Sequence, residues 1–141
     1  MLGVGAIILD GDRVLLVERG KPPQQGLWSL PGGAVETGET LDAAVRREIL
    51  EETGLKIEPL SVVEVFERIT RDAAGAVEYH YVLIDYLCRV TGGTLEARDD
   101  AARVEWVPRA DLASRRITSG TIPVIEKAFR ASSRPRAIPG A

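Results

Sequence analysis

The chain has 141 residues, 45% of them hydrophobic, and a net charge of −3. That is enough for one domain with its own core, and too acidic for a general nucleic-acid surface. Its single cysteine, Cys88, leaves no disulfide framework and suits a reducing compartment, the cytoplasm.

The N-terminal MLGVGAIILD is apolar but too short to cross a membrane, and it lacks a basic leader, so it reads as a strand. GVGAIIL and RVLLVE flank Asp10-Gly11-Asp12, which predicts a β-hairpin. A polar loop over residues 19–26 precedes LWSLPGG. The glycines of LPGGAVETGET let backbone approach a ligand closely, although no Gly-Lys-Ser/Thr follows, so this is not a P-loop.

Thr40 is a natural N-cap and Gly54 a natural C′ stop, so LDAAVRREILEET between them is expected to be helical. Further on, LKIEPLSVVEVFERITR and AVEYHYVLIDYLCRV are β-rich runs joined by Asp72-Ala73-Ala74-Gly75, the second expected to lie centrally in a sheet. Thr91-Gly92-Gly93-Thr94 is expected to turn the chain, ARVEWVP to form a short strand ended by Pro108, and residues 121–130 to form an amphipathic helix. Residues 1–130 would make the domain, with 131–141 a disordered tail rich in Pro, Gly and Arg.

The helix carries an anomaly. With Leu41 at zero and about 100° per residue, Val45 falls near ~40° and Ile49 near ~80°, which sets the core-facing stripe. On that scale Glu48 lands near ~340°, Glu52 near ~20° and Glu51 near ~280°. Glu48 and Glu52 are therefore an i,i+4 like-charge pair inside the apolar stripe, with Glu51 on its border. All three lie toward the C-terminal end, where the helix dipole disfavours negative charge. A solvated acidic face salt-bridged to Arg46 and Arg47 would be the bland account, but such a face should not share its stripe with Leu41 and Val45. A divalent cation removes all three penalties, and clustered hard oxygens suit Mg²⁺ or Mn²⁺.

Gly33, Glu39 and the run Arg47-Glu48-Ile49-Leu50-Glu51-Glu52-Thr53-Gly54-Leu55 have the spacing GX5EX7REUXEEXGU, U being aliphatic. This segment resembles the Nudix box at all nine specified positions over 23 residues, about a sixth of the chain. The flanking order of elements is similar too, over roughly residues 3–130. The resemblance implies an α/β fold, an α/β/α sandwich with a mixed β-sheet and the box as a loop–helix–loop. It implies metal-dependent hydrolysis of a nucleoside diphosphate linked to another moiety.

By matching positions, Glu48, Glu51 and Glu52 would hold Mg²⁺ (or Mn²⁺), with the Gly32 carbonyl as a further ligand. Glu39 and Arg47 would pair and orient the helix against its loop. The catalytic base would be a box glutamate or a later acidic residue. Asp99, Asp100 and Glu105 are the candidates, and Asp100 matches that later position best. Arg19 and Lys21 are candidates for substrate phosphates and equally for solvated surface. Trp28 is a candidate to stack on a base, though Leu27 and Leu30 beside it favour packing. Cys88 reads as a buried structural thiol, and His80 as a strand residue. The expected partner is a small-molecule nucleotide, with neither nucleic acid nor membrane; the resemblance leaves a homodimer open. ADP-ribose or a related nucleoside diphosphate sugar is the first substrate expected, because GGTLEARDDAARVEWVP is similar to the tails of small enzymes with that activity. An oxidised or ordinary nucleoside triphosphate is the alternative, and a non-catalytic nucleotide-sugar sensor is a third reading that the intact box glutamates disfavour.

Overall fold

A computed structural model describes residues 1–22 and 24–133, the last by its backbone alone. Strands β1 (Leu2–Asp10) and β2 (Arg13–Arg19) form the expected hairpin around Gly11, whose φ of 61° is the left-handed value such a turn needs. Two short strands follow, β3 (Trp28–Ser29) and β4 (Gly32–Ala34). Part of the glycine loop is thus strand, because Gly32–Ala34 pairs antiparallel with Gly3–Gly5 of β1. Helix α1 (Leu41–Thr53) has the predicted bounds. Thr40 Oγ1 accepts from the Ala43 N–H at 3.1 Å, and Gly54 closes it at φ 76°.

Strands β5 (Leu55–Arg71) and β6 (Val77–Gly93) make a long antiparallel hairpin, and β7 (Ala101–Pro108) pairs with β2. The sheet path is β3-β2-β1-β6-β5, with β1 and β6 parallel, so the sheet is mixed and β6 is interior as expected. One expectation is corrected: Gly92 and Gly93 do not turn the chain but continue β6, paired with Lys56 and Leu55. Gly93 is needed for close approach, since a Cβ there would stand 2.3 Å from the Gly54 carbonyl. After β7 a 3-10 turn, Arg109–Ser114, leads to helix α2 (Thr121–Ser133). The helix includes residues 131–133 of the expected tail; the rest, 134–141, lies outside the described residues.

Alternation along the strands sends residues to two cores. Val4, Ala6 and Ile8 of β1 and Leu15 of β2 pack under Ala44, Val45 and Ile49 of α1. Ile7, Val14 and Leu16 point to the opposite face, where Val124, Ile125, Ala128 and Phe129 of α2 cover them. The sheet is therefore sandwiched between α1 and α2, the α/β/α arrangement expected. Burial on α1 makes a graded prediction. Ile49→Ala, at a fully buried position, should cost about 2–5 kcal/mol in urea unfolding, whereas Leu50→Ala, 40% exposed one residue on, should cost less than about 1 kcal/mol.

Candidate functional site

The last two turns of α1 lie against β4, and the contact depends on glycine. A Cβ at Gly33 would stand 2.4 Å from the Glu48 carboxyl carbon, so any side chain there would displace that carboxylate from its position. Glu52 Oε2 accepts the Gly32 N–H at 3.0 Å. The predicted stripe is thus observed: Glu48 and Glu52 both turn inward, toward the Gly32–Gly33 backbone. Burial raises Glu52 to a pKa of about 7; the Gly32 N–H opposes that shift and the charges of Glu48 and Asp100 add to it. Burial also raises Glu48, against the hydrogen bond from Arg47.

Arg47 ties the loop to the helix. Its Nε and Nη2 donate to Glu39 at 2.7 and 2.9 Å, Nη2 also to the Ala34 carbonyl at 3.0 Å, and Nη1 to Glu48 and Glu51 at 2.9 and 3.1 Å. The expected Glu39–Arg47 pair is present. Arg47, followed by the Glu36 N–H, holds the Glu39 carboxyl down at about 2. Glu51 lies 47% exposed and is engaged by Arg47, apart from the inward pair.

The donor set fits a hard cation in part. Two half-buried carboxylates with raised pKa values, beside a glycine turn, have the chemistry a divalent ion answers. Among the described residues, however, no three acidic, His or Cys side chains converge on one point as they stand. The contact Gly32 makes with this group is through its N–H, so any role for its carbonyl is additional.

Outside the box the expectations divide. Asp100 is brought to the same rim: its carbonyl accepts the Gly20 N–H at 2.7 Å, its carboxylate pairs with Lys21 at 3.0 Å, and its charge reaches Glu52. Lys21 is therefore engaged at that rim. Asp99 adopts φ 52° in the turn before it. Glu105 is excluded from this group, because it pairs across from Leu16, hence on the α2 face, and is bound by Arg115. Trp28 packs rather than stacks on a base, as Leu27 and Leu30 beside it favoured. It is 5% exposed within the α2-side core, with the Arg103 and Arg115 guanidiniums 5.3 and 4.9 Å from its ring centroid. Cys88 is buried and its thiol is pushed up to about 12, as a structural cysteine should be. His80 pairs with Glu67 at 2.8 Å on the surface.

On the α2 face a cleft of about 480 Å³ opens beside Gly32 and Gly33. Arg19 lines it, as do Phe66 and Arg68 of β5, Tyr81 and Asp85 of β6, and Thr118–Thr121 at the start of α2. Sequence reasoning missed the β5 and β6 residues, which only strand register brings beside Gly5. One signal was available: Asp85 interrupts the apolar run VLIDYLC.

The buried carboxylates predict a pH dependence. Glu52 binds its proton more tightly folded than unfolded, so its contribution to stability is full below about pH 4.5 and is lost as pH rises through about 7. In chelator, Glu52→Gln should therefore be more stable than the parent at pH 8, and the difference should shrink toward pH 4.5. Urea midpoints across that range check it.

A family model for the NUDIX domain matches residues 1–128. An ADP-ribose pyrophosphatase of Methanocaldococcus jannaschii is 41% identical over 105 residues, 74% of this chain and 60% of that protein. An 8-oxo-dGDP phosphatase of Mus musculus is 38% identical over 107 residues, 73% of this chain and 30% of its own length. The chain thus spans three-fifths of the first relative and under a third of the second. The crystal structure of a MutT NUDIX hydrolase from Burkholderia pseudomallei superimposes with a TM-score of 0.78 at 32% identity, covering 89% of this chain and 95% of that one. With its box glutamates turned in on a glycine strand and a family match over nearly its whole length, the chain belongs to the Nudix family.

Proposed function

We propose that this protein is a divalent-cation-dependent pyrophosphohydrolase acting on a nucleoside diphosphate bonded to a further group. One observation carries the reading: Glu48 and Glu52 press on the Gly32–Gly33 backbone from one side while the cleft opens on the same glycines from the other. A substrate lying in the cleft would bring its phosphates to the carboxylates.

Glu48 and Glu52, with Glu51 swung in from Arg47 and the Gly32 carbonyl, are the groups that would hold Mg²⁺ or Mn²⁺. Such a cation, when bound, supplies neutralisation of the pyrophosphate oxygens and activation of water. Arg47 keeps the helix in place against the loop through Glu39 and the Ala34 carbonyl. Arg19, which lines the cleft, is the cation we assign to a substrate phosphate. Asp100, on the rim beside Glu52, is the side chain we assign to take the proton from attacking water. The alternative is a box glutamate.

Two substrate classes follow. ADP-ribose, giving AMP and ribose 5-phosphate, is supported by the M. jannaschii relative's name. An oxidised purine nucleotide, giving the monophosphate, is supported by the mouse relative's name. A nucleotide panel with product identification separates them.

Glu48→Gln and Glu52→Gln should each lower turnover by orders of magnitude at limiting Mg²⁺, while Glu58→Gln, paired with Arg89 outside the box, should leave it nearly unchanged. Mg²⁺ or Mn²⁺ should also raise the melting temperature of the parent. Full activity in excess chelator would defeat the reading. For Asp100, the comparison is the pH–rate profile of Asp100→Asn at saturating Mg²⁺. A fall of about a hundredfold, or loss of the acidic limb, is expected of a general base; an unchanged profile returns the role to the box.

A further inference from the structure

Asp85 is the anomaly of the α2-face cleft. It is 8% exposed, and burial and the charges of Glu64 and Arg68, with no hydrogen bond among them, set the state of its carboxyl. The carboxyl stands in space that a glycine keeps open, since a Cβ on Gly5 would lie 2.4 Å from Asp85 Oδ1. The nearest charges do not satisfy it. Glu64, its cross-strand neighbour, is bound by Lys127 of α2 at 3.0 Å. Arg68 has its guanidinium over the Phe66 ring at 5.3 Å and donates to the Ser119 carbonyl at 3.0 Å. Burial, then the charge of Glu64, lifts Asp85 to about 6 against the pull of Arg68, so it is mostly ionised at neutral pH. A carboxylate lining a cleft with no donor from the described residues is a group that a ligand bearing N–H donors would engage.

Its position says which donors. Gly32, Gly5 and Asp85 are successive neighbours across β4, β1 and β6. At the usual strand spacing Asp85 is therefore about 10 Å from the β4 edge against which Glu52 lies. That is the reach of a nucleoside from its phosphates to the far edge of its base. Phe66, Tyr81, Leu83 and Leu30 give the space apolar walls, and Leu83 and Asp85 lie over the backbone of Gly3 and Gly5. The rings of Phe66 and Tyr81 are surfaces on which a planar base can stack.

We propose that Asp85 is a specificity-determining residue that accepts two hydrogen bonds from the N1–H and 2-amino edge of a guanine-type base. Both donors lie in one plane and match a carboxylate's two oxygens. They are the same in guanine and in its 8-oxo form. Adenine offers one donor beside a ring nitrogen that accepts, which leaves an ionised carboxylate facing a lone pair. The inference rests on the nucleotide reading above and, within it, favours the oxidised or ordinary guanine nucleotide over ADP-ribose.

The test is metal-free calorimetric binding of GMP, IMP and AMP, set beside kcat/KM for the corresponding triphosphates in Mg²⁺. Charge-assisted bonds of this kind carry about tenfold to a hundredfold each. GMP should bind at least about tenfold tighter than IMP, which lacks only the 2-amino group, and AMP should be weaker still. Asp85→Asn should erase the GMP preference by raising KM for the guanine nucleotide, while neither AMP affinity nor the melting temperature falls. The parent's ordering of ligands needs no variant, so a poorly folding Asp85→Asn leaves the proposal testable. Equal binding of GMP, IMP and AMP would overturn it, as would a preference for AMP, or a dependence on the ribose hydroxyls alone. Discrimination without turnover would overturn the hydrolase reading and leave Asp85 its role; turnover without discrimination would do the reverse.

Discussion

The Arg47 guanidinium holds the two halves of the site together. Three of its contacts reach the loop, at Glu39 and the Ala34 carbonyl, and two reach the helix, at Glu48 and Glu51. A lysine could place a charge there but not a planar fork that bonds in several directions at once. Fixing the loop against α1 fixes β4, and β4 carries the glycines that admit Glu48 and Glu52. The like-charge crowding at the end of α1 is therefore tolerated through one cation supplied by the chain, Arg47.

The mixed sheet gives this assembly two sides. β1 is its hinge of topology, antiparallel to β2 and β4 and parallel to β6. The α1 face takes the carboxylates; the α2 face takes the cleft; and β4, three residues long, is where the two meet. The acidic helix and the cleft are thus kept in different layers of packing, the cleft lined by residues of β5 and β6 that do not belong to α1.

What was legible in the sequence follows from range. Thr40, Gly54 and the 3.6-residue period are local signals, and α1 has the bounds they predict, with Glu48 and Glu52 turned inward. Glu51, on the border of the stripe, was legible only in part, because Arg47 draws it outward. The strand β4 was not legible, since a three-residue glycine strand has no pattern of its own and exists through pairing with β1. Gly92 and Gly93 looked like a turn because glycine pairs usually make one; here the second is required by the approach of Gly54. The cleft was invisible for a similar reason. Asp85 and Gly5 are eighty residues apart and become neighbours only through a parallel register.

Among the described residues no strand pairs with the outer edge of β5, and Val62, Val65 and Ile69 are substantially exposed. A straight edge of that composition invites another chain to add a strand. Four register shifts interrupt its pairing with β6, and Pro59 stands at one of them. Each bends the strand and breaks the row of outward N–H and C=O groups into short lengths. The irregularities of β5 therefore act as a guard against edge-to-edge aggregation, and substitutions that straighten it would threaten solubility.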